Sequence, residues 1–142
     1  EFNERLNALG LNAVIYYQSW IPAEKIGLLL KRSRVGLWLF NPQNRRLRRA
    51  LPLKVLEYFA AGLPVVSINT PLMRGLIEST RLGACCEYQS DSIAEAIAGL
   101  LRLGKDEYSQ VSQRCVELID RKYNWEAVEP RLLDLMRKLG PS

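Results

Sequence analysis

The stretch Val35–Phe40 (VGLWLF) is apolar at all six positions, too short for a fully buried helix and far short of a bilayer span. Such a run is satisfied as a strand covered on both faces, the environment of a parallel sheet held between helices. Three further strands are expected: Asn12–Gln18 (NAVIYYQ), rich in β-branched and aromatic residues, then Val65–Ile68 and Ala84–Tyr88. Between them lie helical patterns. Leu6 and Leu9 end a first helix at Gly10. Pro22 opens a second, with apolar positions at Ile26, Leu29 and Leu30. A third runs from Pro52 to Ala61 and stops at Gly62. Leu72–Ser79 is a short helix, and Asp91 caps the next, with Ile93, Ala94, Ile97, Leu100 and Leu101 on its apolar face. Two amphipathic helices, Glu107–Tyr123 and Trp125–Leu139, close the chain. Strands alternating with helices mean βαβ units, and so an α/β fold with a parallel sheet between helical layers. No linker or internal repeat divides the 142 residues, so residues 1–142 are expected to form a single domain unit. The chain opens on Glu1 rather than Met, which suggests a fragment or processed piece.

Histidine is absent. This removes the Ser-His-Asp triad, the Cys-His nucleophile pair, the zinc-binding His pair and the histidine general base. The three cysteines, Cys85, Cys86 and Cys115, include no CxxC pair, so small buried hydrophobes in a reducing cytoplasm are expected. No basic and apolar leader points to secretion.

The net charge of +5 is unevenly spread. Residues 31–54 hold eight cations (Lys31, Arg32, Arg34, Arg45, Arg46, Arg48, Arg49, Lys54) and no acid, leaving 12 basic against 15 acidic residues elsewhere. A concentrated cationic segment on a mildly acidic chain indicates a local anion site, or else a solvated Arg-rich loop that keeps the protein soluble.

In a parallel α/β sheet, ligands bind at the carboxyl ends of the strands. The polar loop that follows Phe40 (Asn41-Pro42-Gln43-Asn44 and the arginines) feeds straight into the helix beginning at Pro52. Free N–H groups and the positive end of the helix dipole favour an anion there, and the arginines add bidentate donors suited to phosphate. Lys54 and Glu57, three residues apart, share a helix face. Lys54 reaches toward the anion, and the Glu57 carboxylate a turn deeper can accept from two adjacent hydroxyls, such as those of a ribose. Phosphate first and diol second describes a nucleotide. The alternative is a surface ion pair worth about 0.3 kcal/mol. No G-x-G-x-x-G follows any strand, which argues against a dehydrogenase-type dinucleotide domain.

Leu51–Val66 (LPLKVLEYFAAGLPVV) resembles the P-x-K-x-x-E-Y-x-A-A-G-x-P-V-V signature of the retaining, family-4-like (group 1) GT-B glycosyltransferases. Tyr17–Ile26 resembles the strand-turn-helix that precedes it in that family, with Ser19 where Gly is common. Ser33–Pro42 resembles its next strand, and Tyr123-Asn124-Trp125 resembles the signature before its last helix. The resemblance covers nearly the whole chain. It implies the C-terminal, donor-binding half of a GT-B enzyme: a three-layer, Rossmann-like parallel sheet flanked by helices, lacking its first two strands. Either another segment fills the gap, by dimerisation or segment exchange, or the four strands pair in a rearranged way.

The reaction implied is transfer of a sugar, with retention, from a UDP-, GDP- or ADP-sugar to an acceptor hydroxyl. No metal and no cofactor beyond the donor are implied. Residue by residue, Glu57 would hold the ribose, the amides of Ala50 and Leu51 the diphosphate, and Lys54 the diphosphate or sugar. Trp20 and Ile21 would flank the base, although an aromatic at position 20 equally suits a core. Many family members carry a second, sugar-contacting glutamate where this chain has Arg49, which instead suits phosphate or an acidic sugar. The acceptor, a glycan or lipid-linked molecule, would be met through an N-terminal half, with the protein cytoplasmic and at the inner face of a membrane, and the 142-residue piece alone binding donor nucleotide weakly at best and inactive. The competing reading is a non-catalytic polyanion-binding or interaction module that uses the Arg-rich loop 45–49; the glycosyltransferase reading expects no nucleic-acid partner.

Overall fold

A computed structural model describes residues 2–139. Three parallel strands, β1 (Gly36–Trp38), β2 (Val65–Ile68) and β3 (Gly83–Cys86), lie side by side in chain order. Val65 stands opposite Gly36 on one side and opposite Gly83 on the other. Around them run α1 (Phe2–Ala8), α2 (Ala23–Lys31), α3 (Arg45–Arg49), α4 (Leu53–Ala60) and α5 (Pro71–Met73), which continues as a π-helical turn, Arg74–Glu78. Then follow α6 (Ser90–Leu101), α7 (Lys105–Lys122) and α8 (Trp125–Leu139).

The central strand β2 is buried at every position and feeds two cores. On one face Val65 packs with Val55 and Phe59 of α4, Ile77 of the π-turn and Cys115 of α7. On the other, Val66 and Ile68 meet Phe40, Cys86 and Leu100 of α6. The crossovers through α4 and α5 both advance the sheet in one direction. Crossovers of one hand place both helices on the same face, and α6 is left to cover the other. The result is a Rossmann-like sandwich of helix, sheet and helix.

Gly62 ends α4 at φ +73°, with Leu63 N–H donating back to Tyr58 O at 2.9 Å, as a left-handed glycine cap allows. Gly10, at φ +66°, likewise follows α1. Thr70 Oγ1 accepts from Met73 N–H at 3.2 Å and starts α5.

The structure corrects four expectations. Asn12–Gln18 forms no strand; Val14 and Tyr16 are 77% and 89% exposed, and no neighbouring strand takes up the backbone groups of the segment. β1 is an edge strand with Leu37 exposed, because no described residue pairs with its outer side. Arg45–Arg49 is a helical turn and not a loop: Asn44 Oδ1 accepts from the N–H of Arg46 (3.2 Å) and Leu47 (3.4 Å), and Leu47 packs on the second core. α6 begins at Ser90, so Asp91 lies in its first turn rather than at the cap, where it still favours the positive end of the helix. The helix expected after Pro22 is present as α2, which buries none of its side chains and leaves Leu29 of its apolar face exposed.

Candidate functional site

The apolar face of α2, short of a core to enter, forms one wall of a groove. The opposite wall is α4. Trp20, Ile21, Leu29, Lys54, Glu57 and Tyr58 line this groove, which encloses about 340 Å³. The turn Gln18–Ile21 closes its end, with Gln18 Nε2 donating to Trp20 O at 3.2 Å. Trp20 is 73% exposed, so its ring belongs to the surface and not to a core.

Lys54 and Glu57 both project into solvent from α4. No ion pair joins them, and neither side chain has a hydrogen-bond or salt-bridge partner among the described residues. The surface ion pair is therefore not formed, and a cation and a carboxylate stand free in one groove. Beside them, burial pushes the Tyr58 hydroxyl above its usual range, and the Glu57 charge adds to the effect.

The start of α4 is open. Pro52 at the cap has no N–H and offers no side-chain cap, so the first amides of the helix are unsatisfied by any side chain. Val55 N–H already turns back to Pro52 O at 3.0 Å, and Ala50 N–H makes a long 3.4 Å bond to Leu47 O. Of the two amides expected to hold an anion, Leu51 is the less committed.

Arg49 does not join the groove. It lines a separate cleft of about 590 Å³ with Arg45, Arg48, Pro71 and Leu72. A larger cleft, about 770 Å³, lies at the carboxyl ends of β2 and β3 and contains none of the expected site residues. There Arg74 donates twice to Asn69 Oδ1 (3.1 and 2.8 Å), and Asn69 Nδ2 donates to Glu87 at 3.0 Å. The structure thus brings Trp20, Ile21, Lys54 and Glu57 to one groove, which Tyr58 and Leu29, not singled out in the sequence as site residues, also wall. The sequence carried no signal for Leu29, because the edge position of β1, which leaves α2 little core to bury against, appears only in the structure.

Among the described residues, no three His, Cys, Asp or Glu side chains come together to hold a metal ion, and no helix is long and apolar enough to cross a membrane.

Residues 1–117 match the family of glycosyl transferases group 1. UDP-glycosyltransferase TURAN of Arabidopsis thaliana is 29% identical over 82 residues, which is 58% of this chain and 17% of that protein. WcaL of Escherichia coli (strain K12), named for colanic acid biosynthesis and glycosyl transfer, is 27% identical over 90 residues, 63% of this chain and 22% of its own length. The matched stretch is therefore about a fifth of each relative. No solved structure matches the chain.

Proposed function

This chain belongs to the group 1 glycosyl transferases, and on that premise we propose that it is the donor-binding part of a GT-B enzyme, one domain unit over residues 1–142. The observation that carries the reading is the groove in which Lys54 and Glu57 stand unpaired beside Trp20 and Ile21. A nucleoside diphosphate sugar fits that order of groups. Trp20 and Ile21 flank the base, and the Glu57 carboxylate accepts from the ribose diol. The diphosphate lies toward the start of α4, held by the Leu51 and Ala50 amides and Lys54, with Arg49 at its far side.

Breaking the bond between the anomeric carbon and the diphosphate builds negative charge on the departing oxygen. The amides of the helix start are fixed donors, and Lys54 adds a mobile cation; together they stabilise this charge as it forms. The acceptor hydroxyl gains the sugar with retention of configuration, at a cleft completed by a second half of the enzyme. The acceptor is a glycan or lipid-linked molecule; that one relative is named for colanic acid biosynthesis is a reason to test a glycan first. A lipid-linked acceptor brings the protein to the cytoplasmic face of a membrane. The unpaired edge of β1 takes another strand, from elsewhere in the protein or from a second copy.

Titrating UDP, GDP and ADP against the chain tests the reading, with UDP first because one relative is a UDP-glycosyltransferase by name. Saturable binding of one of them, weakened in Glu57→Ala, is expected. Indifference to all three, together with tight and steeply salt-dependent binding of an RNA homopolymer, would establish the polyanion-binding alternative instead.

A further inference from the structure

Arg45, Arg48 and Arg49 are spaced i, i+3 and i+4 on α3, so they share one face, and all three line the cleft floored by Pro71 and Leu72. Arg46, on the other side of the turn, does not. No acid lies between residues 31 and 54. None of these guanidinium groups has an ion-pair or hydrogen-bond partner among the described residues. Like charges at this spacing repel, so the arrangement lowers stability unless an anion occupies it. Every polar side chain in the lining is a donor, since arginine has no acceptor. The forks match a planar carboxylate, while Pro71 and Leu72 offer an apolar floor for the C–H face of a pyranose. The cleft also adjoins the donor in sequence, since Arg49 directly precedes Ala50 and Leu51, where the diphosphate is placed.

We infer that this cleft recognises a carboxylate on the sugar being transferred, so that the donor is a nucleoside diphosphate uronate. The inference rests on the donor-binding reading above. It gives Arg45 and Arg48 a role in choosing the sugar that is separate from holding the nucleotide.

The test is calorimetric titration of the 142-residue chain with UDP, UDP-glucose and UDP-glucuronate, and in parallel with GDP, GDP-mannose and GDP-mannuronate. In the series that binds, the uronate is expected to bind about tenfold or more tightly than the neutral sugar. Arg45→Gln/Arg48→Gln, at exposed positions without partners to lose, should abolish that preference and leave binding of the bare diphosphate unchanged. Equal binding of neutral sugar and uronate overturns the inference while leaving the donor reading intact. So does an equal loss of all ligands in the double variant, which would assign the arginines to the diphosphate. Failure of both series, and of ADP and ADP-glucose beside them, to bind overturns the donor reading and the inference together.

Discussion

The Tyr58 ring packs directly on Gly36: a Cβ built at position 36 would stand 2.6 Å from Tyr58 Cγ and 3.0 Å from Cε2. β1 and α4 approach this closely because the strand has no side chain at that point. Tyr58 also lines the groove that Glu57 faces, so the depth of the glycine sets the position of the groove wall.

Gly36→Ala should therefore cost about 1–3 kcal/mol, as overpacking does, and should weaken nucleotide binding by displacing Tyr58. Thermal unfolding and a UDP titration of the same variant check both effects. Unchanged stability would mean that α4 is free to shift.

Gly99 is the opposite case. It lies inside α6 with nothing within 4 Å of the place its Cβ would occupy. Gly99→Ala should raise stability by about 0.4–1 kcal/mol through the unfolded chain. A urea midpoint at or below the parent's would contradict this.

Gly83 cannot be replaced cheaply. At φ +157° it faces the β2 backbone, and a Cβ there would meet Val65 N at 2.7 Å and the Val65 carbonyl carbon at 2.8 Å. Because the obstacle is backbone and not a flexible side chain, Gly83→Ala should part β2 from β3. The expected loss is about 3 kcal/mol or more, read as a large fall in melting temperature or as insoluble protein.

The thiols set an alkaline limit. Burial pushes Cys115 up to about 12; burial, then the Glu78 and Cys86 charges, does the same to Cys85. Unfolded thiols lose their protons first as pH rises, so the stability these groups contribute is complete below the ordinary thiol range and is lost as pH climbs toward about 12. Urea midpoints measured from pH 8 to 10.5 should fall, with a shallower fall in Cys115→Ala. Iodoacetamide at pH 8 should modify the native chain far more slowly than the unfolded one.

The strand at Val65–Ile68 was legible because burial on both faces leaves only apolar and small residues there. α4 was legible because Pro52 and Gly62 punctuate it. Asn12–Gln18 was misread because β-branched and aromatic residues report a preference for a half-buried pleat, and whether a neighbouring strand exists to pair with is decided by the rest of the sheet. The arginine turn was missed because its cap, Asn44, looked like one more loop residue, and Leu47 alone marks its buried side. For the site, the i, i+3 spacing of Lys54 and Glu57 was readable along one helix. That Arg49 would turn into a different cleft was not, because the break at Ala50–Pro52 resets the direction of the chain.

The proposed role of Glu57 is to grip a ribose diol. The direct measurement is a double cycle: UDP and 2′,3′-dideoxy-UDP titrated against the parent chain and Glu57→Ala, with thermal unfolding to verify that this exposed position leaves the fold intact. The substitution is expected to weaken UDP binding by about 1.5–3 kcal/mol, the range for hydrogen bonds to a charged group, and to leave dideoxy-UDP binding unchanged. Equal weakening of both nucleotides, or of neither, would contradict it.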